Sequence, residues 1–356
     1  MKIGIDCQAL ENQQSGLGRY TEQLLSYFRP PTTGHEILSF KKPSKIGSRT
    51  YDRLIWENIY LPKVARKNKV DILHTPAFCM PYIKGRWKAI VTIHDLIGAK
   101  FPEHLSFASR CYWSQWLPYV NRKADLIIAD SECTKKDIME LMKVPEHKIR
   151  VIYLAADKQF KPCPKNDSLA RCEKYNIPQP YILFLGNVEP RKNLPRLIRS
   201  FSTLRRKNKI QHSLVIAGSR SWKYPEIDHV IRETETGAFI KFLNYVDEKD
   251  LVYLYNGADL FVYPSIYEGF GLPLLEAMQC GVPVLTSNVS SMPEVGGDAV
   301  FYINPSNEGE LADGIYTILS NTTVMKKLRE KGLEQIRKFN WEITAQQTLK
   351  AYETMG

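Results

Sequence analysis

The stretch Glu268-Gly-Phe-Gly-Leu-Pro-Leu-Leu-Glu276 joins a predicted β-strand to a predicted helix. The apolar run at 259–263 predicts the strand that leads into it. Pro273 is typical of the first position of a helix, and Gly281 is typical of the residue that ends one. The stretch therefore predicts a strand, a glycine-containing turn and a helix in succession.

The start of this helix predicts a binding site for an anion. The backbone N–H groups of Phe270, Gly271 and Leu272 should lie at the positive end of the helix dipole. We expect Glu276 on the first helical turn and Glu268 in the loop before it. Carboxylates would repel a nearby anion unless they bind something else, and sugar hydroxyls are suitable partners. A solvated glutamate and an ordinary acidic first turn are the simpler interpretation, which the glycines and the proline make less favourable.

Length and composition limit the classes of protein to which the chain can belong. At 356 residues the chain is long enough for two domains. Its mean hydropathy of −0.31 is typical of a soluble globular protein, and no apolar run approaches the ~20 residues of a membrane span. Residues 2–6 predict a strand and not a signal peptide. The seven cysteines have no Cys-x-x-Cys spacing, so we expect reduced cytosolic thiols and neither disulfides nor a metal site.

The positive charge is concentrated in the first half of the chain. Residues 1–165 hold 27 Lys and Arg against 16 Asp and Glu, whereas residues 166–356 hold 22 of each. This asymmetry indicates an anionic partner for the first half: an anionic membrane surface, a lipid-phosphate acceptor or nucleic acid. A surface that only promotes solubility is an equally good explanation.

Short apolar runs alternate with amphipathic helical patterns in two successive series. The strand-like runs of the first series are 2–6, 71–74, 89–94, 126–129 and 149–153. Those of the second are 181–186, 213–218, 239–243, 259–263, 282–286 and 300–303. This alternation predicts an α/β protein with two parallel sheets, each covered on both faces. The polar, proline-containing segment 161–167 is the predicted linker, and residues 341–355 predict a terminal amphipathic helix.

Several chemically distinctive residues follow the predicted strands, at the edge where ligands of parallel sheets bind. Gly16 and Gly18 would let the backbone approach a ligand, although a helix cap is the simpler interpretation. Arg191 and Lys192 would neutralise a diphosphate leaving group, unless they are surface charge. His94 could bind a sugar hydroxyl, but a structural role is the more common one. Together these residues predict a cleft between two domains.

Four aromatic residues crowd the segment 110–119 of the basic half: Tyr112, Trp113, Trp116 and Tyr119. Such rings suit an interface or a sugar-stacking surface. Their helical spacing favours plain core, which is the interpretation we prefer. No Asp-x-Asp, His-Glu-x-x-His, Gly-x-Ser-x-Gly or P-loop motif occurs. The sequence therefore gives no support to a motif-bound catalytic metal, a serine hydrolase or a P-loop NTPase.

Taken together, these motifs resemble the retaining, nucleotide-sugar-dependent glycosyltransferases of family 4, which have the GT-B fold. The resemblance runs along nearly the whole chain. Its segments are Ile3-Gly-Ile-Asp6, Ser15-Gly-Leu-Gly-Arg-Tyr20, Thr92-Ile-His-Asp95, Leu185-Gly-Asn-Val-Glu-Pro-Arg-Lys-Asn193, the stretch 267–276, residues 280–285 and residues 293–298. It implies two Rossmann-like, doubly wound domains: an acceptor-binding domain at 1–165 with the crossover helix 341–356, and a donor-binding domain at 166–340.

The resemblance also implies roles for individual residues. Glu276 would bind the ribose of the donor, and Glu268 would contact the transferred sugar, as would His94. Arg191 and Lys192 would hold the diphosphate. The residues expected to contact sugar, phosphate or base through their backbone are Gly16, Gly18, Gly186, Tyr245, Val246, Phe270, Gly271 and Leu272.

The motifs at 16–20 and 185–193 are most similar to those of mannosyltransferases of O-antigen and related polysaccharide assembly. This implies GDP-mannose as the donor co-substrate, with no metal or other cofactor, and a UDP- or dTDP-sugar as the alternative. We expect a glycan or lipid-diphosphate-linked acceptor, a cytoplasmic location with possible peripheral contact to an anionic membrane, and no nucleic-acid partner. A GT-B sugar-nucleotide epimerase and a non-catalytic glycan-binding protein remain alternatives.

Overall fold

The computed structural model describes residues 1–12, 16–28, 34–42, 49–219 and 225–356. They form two compact units. Unit 1 comprises Met1–Leu154 and Asn340–Gly356, and unit 2 comprises Ala155–Phe339. Ser15, which belongs to the glycine motif of the sequence, lies outside the described residues.

The first unit ends at Leu154 and not at the predicted residue 165. The reason is that the following segment packs on unit 2. The side-chain amide of Gln279 donates to the carbonyl oxygens of Asp157, at 3.0 Å, and Phe160, at 2.7 Å. The polar composition of 161–167 therefore marks a surface connection within unit 2 and not the break between the units.

Unit 1 is built on a six-stranded, wholly parallel sheet in the order β2-β1-β3-β4-β5-β6. Its strands are β1 Lys2–Asp6, β2 Glu36–Phe40, β3 Ile72–Thr75, β4 Lys88–Ile93, β5 Leu126–Ala129 and β6 Ile149–Val151. Its first helices are α1 Gly16–Tyr27, α2 Arg49–Ile55, α3 Leu61–Lys67, α4 Ile97–Lys100, α5 Phe107–Cys111, α6 Leu117–Asn121 and α7 Glu132–Met142. The edge strand β2 was not among the predicted strands, since its side chains are largely half-buried and include a serine.

Unit 2 repeats this plan with a parallel sheet in the order β12-β11-β10-β7-β8-β9. Its strands are β7 Tyr181–Leu185, β8 Ser213–Ala217, β9 Ile240–Asn244, β10 Leu260–Tyr263, β11 Val284–Ser287 and β12 Phe301–Ile303. Its helices are α8 Lys165–Cys172, α9 Leu194–Arg206, α10 Pro225–Thr234, α11 Glu248–Gly257, α12 Leu272–Gln279, α13 Met292–Gly296, α14 Glu308–Ser320 and α15 Thr322–Gln335.

Both sheets are buried on both faces. Every residue of the inner strands β3, β5, β8, β10 and β11 is buried. This explains why apolar and polar residues do not alternate regularly along these strands. The predicted ends of several strands are shifted by one or two residues.

Each sheet has one topological switch point, where the chain returns to pair with the other side of its first strand. In unit 1 this point lies between β1 and β3, and in unit 2 it lies between β7 and β10. The loops that leave these neighbouring strands diverge there, which opens a crevice at the carboxyl ends of the strands. In unit 2 the stretch that begins with Glu268 leaves β10 at this point.

The last helix, α16 Trp341–Glu353, belongs to unit 1. The Tyr352 ring packs edge-on against Phe28, which follows α1, with centroids 6.0 Å apart. Its hydroxyl lies 2.7 Å from Nδ1 of the buried His74 on β3. The end of the chain therefore completes the helical layer of the unit that contains its beginning.

Candidate active site

Two loops meet at the switch point of unit 2. The loop after β7 makes a 3₁₀ turn at Pro190–Lys192, which presents Arg191 and Lys192. The loop after β10 carries Glu268. The backbone N–H of Ile266 in the second loop donates to the carbonyl oxygen of Arg191 at 2.7 Å, so the two loops are fixed to one another.

The carboxylate of Glu268 pairs with both cations. Its Oε2 lies 2.6 Å from Nη1 of Arg191, and its Oε1 lies 2.6 Å from Nζ of Lys192. The Nε of Arg191 also donates to Glu189 at 2.8 Å. The sequence predicted that Glu268 contacts hydroxyl groups of the sugar and that Arg191 and Lys192 contact the diphosphate of the donor. The structure brings all three together and engages them with each other.

Burial and charge oppose one another at this cluster. Burial raises the pKa of the Glu268 carboxyl, but the charges of Lys192 and Arg191 outweigh burial and lower that pKa to about 2. Burial lowers the pKa of Lys192, and the Glu268 carboxylate offsets this only in part. Burial also lowers the pKa of Arg191, but Glu268 outweighs burial and raises it. Glu268 is therefore an ionised, weakly basic carboxylate at neutral pH.

Tyr263, the last residue of β10, also belongs to the cluster and was not predicted from the sequence. Its buried hydroxyl accepts a hydrogen bond from the Lys192 ammonium, which also lies 4.5 Å from the centre of the Tyr263 ring. The position of Tyr263 at the end of a strand, next to the Glu268 loop, is the signal that could have identified it.

Ser290 and Ser291, which follow β11 at the same edge, were also missed. Ser290 Oγ accepts from the backbone N–H of Glu268 at 3.0 Å and lies 2.6 Å from its carbonyl oxygen. Ser291 Oγ donates to the carbonyl oxygens of Glu268 and Phe270. These hydroxyls hold the backbone of the loop in place, and no local motif distinguishes them.

The turn into α12 requires glycine at position 271. Gly271 has a φ of +99°, and a Cβ there would lie 2.5 Å from Cε of Met292. The backbone N–H groups of Gly271 and Leu272 find no acceptor in the part of the chain that the structure describes. Because α12 begins at Leu272, Pro273 is its second residue and not its first.

Glu276 lies on the second turn of α12, not on the first turn as predicted, since the helix begins at Leu272. It is buried, and its Oε2 accepts a hydrogen bond from the hydroxyl of Tyr255 at 2.8 Å. Tyr255 therefore fixes the orientation of the second carboxylate of the stretch.

Glycines also shape the edge beside the cations. At Gly186, where φ is +152°, a Cβ would lie 3.5 Å from the Lys192 ammonium. At Gly218, which follows β8 and which sequence reasoning did not select, a Cβ would lie 2.0 Å from the carbonyl oxygen of Gly186. The next loop, after β9, carries the exposed Tyr245 and the buried Val246. These loops follow neighbouring strands, so they line one edge.

In unit 1, both ring nitrogens of His94 are engaged. Nδ1 lies 2.6 Å from Oδ2 of Asp130, and Nε2 lies 3.0 Å from the carbonyl oxygen of Pro76. Burial lowers the pKa of His94, but Asp130 and the Pro76 carbonyl outweigh burial and raise it. The imidazole of His94 is therefore held by two residues of unit 1, and neither ring nitrogen is available to bind a sugar. Asp130, which follows β5, was missed because nothing local connects it to His94.

The two glycines of the first loop lie inside a helix. α1 begins at Gly16, so Gly16 and Gly18 are in its first turn. Gly16 is exposed, and a Cβ added to it would meet no atom within 4 Å, whereas Gly18 is buried. The backbone contacts to the donor that were predicted for these two glycines stay predictions.

No group of three or more His, Cys, Asp or Glu side chains is arranged to hold a metal ion within the described ranges. Within the same ranges, no helix is long and apolar enough to cross a membrane.

Comparison with known proteins gives matches to both halves of the chain. The family profile described as "Glycosyl transferases group 1" matches residues 171–335, and the profile "Glycosyltransferase Family 4" matches residues 17–160. The O-antigen chain mannosyltransferase B of Escherichia coli is 34% identical over 291 residues, which cover 82% of this chain and 76% of that protein.

Solved structures show the same fold. Sucrose-phosphate synthase from Thermosynechococcus elongatus has a TM-score of 0.80 at 19% identity and covers 100% of this chain and 99% of its own. Anabaena HepE, solved in complex with UDP and glucose, has a TM-score of 0.77 at 19% identity, with 99% of both chains covered. Both halves are matched, and a relative at 34% identity covers most of the length. The chain therefore belongs to glycosyltransferase family 4 and is a hexosyltransferase with the GT-B fold.

Proposed function

We propose that the chain is a retaining, metal-independent transferase that moves a mannosyl group from GDP-mannose to a glycan or lipid-diphosphate-linked glycan in cell-surface polysaccharide synthesis. The observation that carries the proposal is the convergence of Arg191, Lys192 and Glu268 beside the start of α12. The mannosyl donor is supported by the relative at 34% identity, which is named as an O-antigen mannosyltransferase.

Arg191 and Lys192 stabilise the leaving diphosphate in this proposal. The Nη2 group of Arg191 has no acceptor among the described residues, and the Lys192 ammonium uses two of its three N–H groups on Tyr263 and Glu268. These donors suit the phosphate oxygens on which negative charge develops as the glycosidic bond breaks. The outward N–H groups at the start of α12 add positive potential at the same place.

Glu268 then positions the sugar and does not attack it. Both of its oxygens are paired with cations, and its pKa of about 2 makes it a weak base and a weak nucleophile. Retention through a covalent sugar–enzyme intermediate needs a free carboxylate. We propose instead that the acceptor hydroxyl attacks from the face of the departing diphosphate, whose oxygen takes the proton. When the donor binds, Glu268 gives up part of its pairing with Arg191 and Lys192. It then contacts sugar hydroxyls, and the two cations contact phosphate.

The remaining contacts are proposed along the same edge. Glu276, oriented by Tyr255, would bind the ribose, and the loop at Tyr245 and Val246 would hold the base. Three strand spacings separate β10 from β9, which is about 14 Å, so sugar, diphosphate and base would occupy successive loops. The positive charge of the N-terminal half would place the enzyme at the inner face of an anionic membrane, where a lipid-linked acceptor is held.

A UDP-sugar is the second candidate donor, because Anabaena HepE was solved with UDP and glucose. Transfer assays with GDP-mannose, UDP-glucose and a dTDP-hexose, on a lipid-diphosphate-linked glycan, discriminate between the donors. We expect product from GDP-mannose, an α linkage by NMR, and an unchanged rate in EDTA. A β linkage would refute retention, loss of activity in EDTA would refute metal independence, and product only from UDP-glucose would refute the donor.

The role of the cations is tested by replacing Arg191 and Lys192 together with alanine. We expect kcat to fall by roughly 10³ through lost stabilisation of the leaving diphosphate. Arg206→Ala with Lys207→Ala removes the same charge from the exposed end of α9 and is the matched control. Equal single-turnover rates in the two double variants would refute the assignment.

A further inference from the structure

A group of exposed apolar side chains lies on the helical surface of unit 1. Thirteen large apolar or aromatic side chains are exposed among the described residues. Six of them form the group that we call the aromatic patch: Ile59, Tyr60, Tyr82, Ile83, Trp116 and Tyr119. A concentration of this kind on one surface usually marks an interaction site.

The aromatic patch is continuous. The Tyr82 ring stacks on Trp116, with centroids 5.1 Å apart and planes at 14°, and lies 6.2 Å from the ring of Tyr119. The backbone N–H of Tyr82 donates to Oδ1 of Asn58 at 2.9 Å. This bond brings the loop of Tyr82 and Ile83 against the turn that carries Ile59 and Tyr60.

Two π-helical turns contain or precede four of the six side chains of the patch. They span Trp56–Tyr60, between α2 and α3, and Tyr112–Trp116, between α5 and α6. A π turn inserts one residue and rotates the following side chains relative to a regular helix. Tyr112 and Trp113, at the start of the second turn, pack against the core, whereas Trp116 at its end is 37% exposed and Tyr119 beyond it is 50% exposed. The prediction that all four aromatic residues are core is therefore wrong for the last two.

The segments that form the aromatic patch are rich in exposed basic residues. The Lys123 ammonium lies 4.4 Å from the ring centres of both Tyr82 and Tyr119. The three segments that form the patch, 56–69, 81–88 and 112–125, contain nine basic residues: Lys63, Arg66, Lys67, Lys69, Lys84, Arg86, Lys88, Arg122 and Lys123. Their two acidic residues are Glu57, which is buried, and Asp125, which pairs with Lys84 at 2.6 Å.

We infer that the aromatic patch docks on an anionic lipid bilayer, with its rings at the level of the headgroups and its cations on lipid phosphates. Tyr and Trp combine an apolar body with a polar tip, which suits a membrane interface, and basic residues beside it are attracted to anionic lipid. The inference depends on the proposed function only for the place of the enzyme in the cell, because lipid binding requires no transfer activity.

Two other occupants fit the patch less well. Sugars stack on free aromatic faces, but Tyr82 and Trp116 cover each other and Lys123 covers Tyr82 and Tyr119. A second copy in a twofold dimer would bring the same basic segments into contact with themselves. A surface that is both apolar and basic has an anionic bilayer as its complement.

Co-sedimentation of the full chain with vesicles tests the inference. We expect binding to phosphatidylcholine vesicles that contain phosphatidylglycerol, weak binding to phosphatidylcholine alone, and loss of binding as salt is raised. Ile83→Glu places a carboxylate in the patch and should weaken binding by about tenfold or more. Leu141→Glu makes the same change at a 38% exposed position on α7 of the same unit and should bind as the wild type does.

Equal binding to both kinds of vesicle, or equal effects of the two glutamate variants, would overturn the inference. Sedimentation velocity without lipid measures whether the chain forms a dimer. If the wild type is a dimer and the Ile83→Glu variant is a monomer, the patch binds a second copy of the chain and lipid docking is overturned. Transfer to a water-soluble acceptor by the Ile83→Glu variant should equal that of the wild type. That rate therefore reports on the proposed function separately from lipid binding.

Discussion

Both carboxylate oxygens of Glu268 bind cationic side chains. These belong to Arg191 and Lys192, which precede Glu268 by 77 and 76 residues in the chain. Removing one partner of a buried ion pair is costly because it leaves the other charge desolvated and uncompensated. Here a single substitution would leave two such charges, since the side chains of Arg191 and Lys192 are only 14% and 7% exposed. Glu268 is therefore expected to stabilise unit 2 as well as to bind the donor.

We predict that Glu268→Gln lowers the free energy of unfolding of unit 2 by about 3 kcal/mol at pH 7. The folded-state pKa of Glu268, about 2, lies below its ordinary value of 4.5. Its stabilising contribution is therefore complete above pH 4.5 and is lost as pH falls toward 2. The difference between wild type and variant should shrink by about 1 kcal/mol between pH 6 and pH 4. Scanning calorimetry at several pH values measures it.

Glu189→Gln is the matched control. Glu189 touches Arg191 through Nε and is more exposed than Glu268, so its loss should cost about 1 kcal/mol or less. Equal losses in the two variants, or a difference from wild type that does not change with pH, would contradict the role given to Glu268.

At the scale of elements, the close approach of two strand ends shapes the site. The loops after β7 and β8 meet at Gly186 and Gly218, where the N–H of Gly186 donates to the carbonyl oxygen of Ala217 at 2.9 Å. Gly218 has a φ of +144° and no room for a side chain beside the Gly186 carbonyl. A side chain at position 218 would therefore displace the start of the loop that carries Arg191 and Lys192.

We predict that Gly218→Ala destabilises unit 2 by about 2 kcal/mol and weakens binding of GDP. The reason is that the added methyl group forces the Gly186 carbonyl away, and the backbone conformation at 218 is strained for alanine. Calorimetry and isothermal titration with GDP measure the two effects.

Gly309→Ala in α14 is the control for Gly218→Ala, since a Cβ there meets its nearest neighbour at 3.4 Å without positive φ. It should leave GDP binding unchanged and should not destabilise the fold. If Gly218→Ala behaved in the same way, the close packing of β7 and β8 would not be what holds the cations in place.

At the scale of the molecule, the chain begins and ends in the same unit. Helix α16 contributes Tyr352, whose hydroxyl bonds the buried His74, and His74 in turn bonds Thr92 of β4 at 2.8 Å. Burial lowers the pKa of His74 to about 3, so its ring is neutral at working pH. The hydroxyl of Thr92 lies 3.2 Å from that of Tyr20 on α1. A buried hydrogen-bonded chain thus connects α16, β3, β4 and α1.

We predict that Tyr352→Phe lowers the Tm of unit 1 by roughly 2–10 °C, because Nδ1 of His74 loses its partner in a buried site. The transition of unit 2 should not move, since the contact lies wholly within unit 1. Tyr119→Phe removes a half-exposed hydroxyl from the same unit and should leave both transitions in place. A shift of both transitions in Tyr352→Phe would show that α16 stabilises more than unit 1.

Much of the architecture could be predicted from sequence, because strands and helices depend on neighbouring residues. The apolar runs predicted two parallel sheets, and the rule that ligands bind at the carboxyl ends of parallel strands selected Glu268, Arg191 and Lys192 together. Partners such as Asp130 and Ser290 could not be predicted, since no feature of their local sequence distinguishes them.

The sequence by itself determined the local conformations: the glycine turn before α12, the alternation of strand and helix, and membership of the family. Only the tertiary structure decided that Glu268 pairs with Arg191 and Lys192, that Asp130 holds His94, and that Trp116 and Tyr119 face outward. The physical reason is that backbone conformation is set by residues close in the chain. Ion pairing and exposure depend instead on distances through space, and the order of strands in each sheet sets those distances.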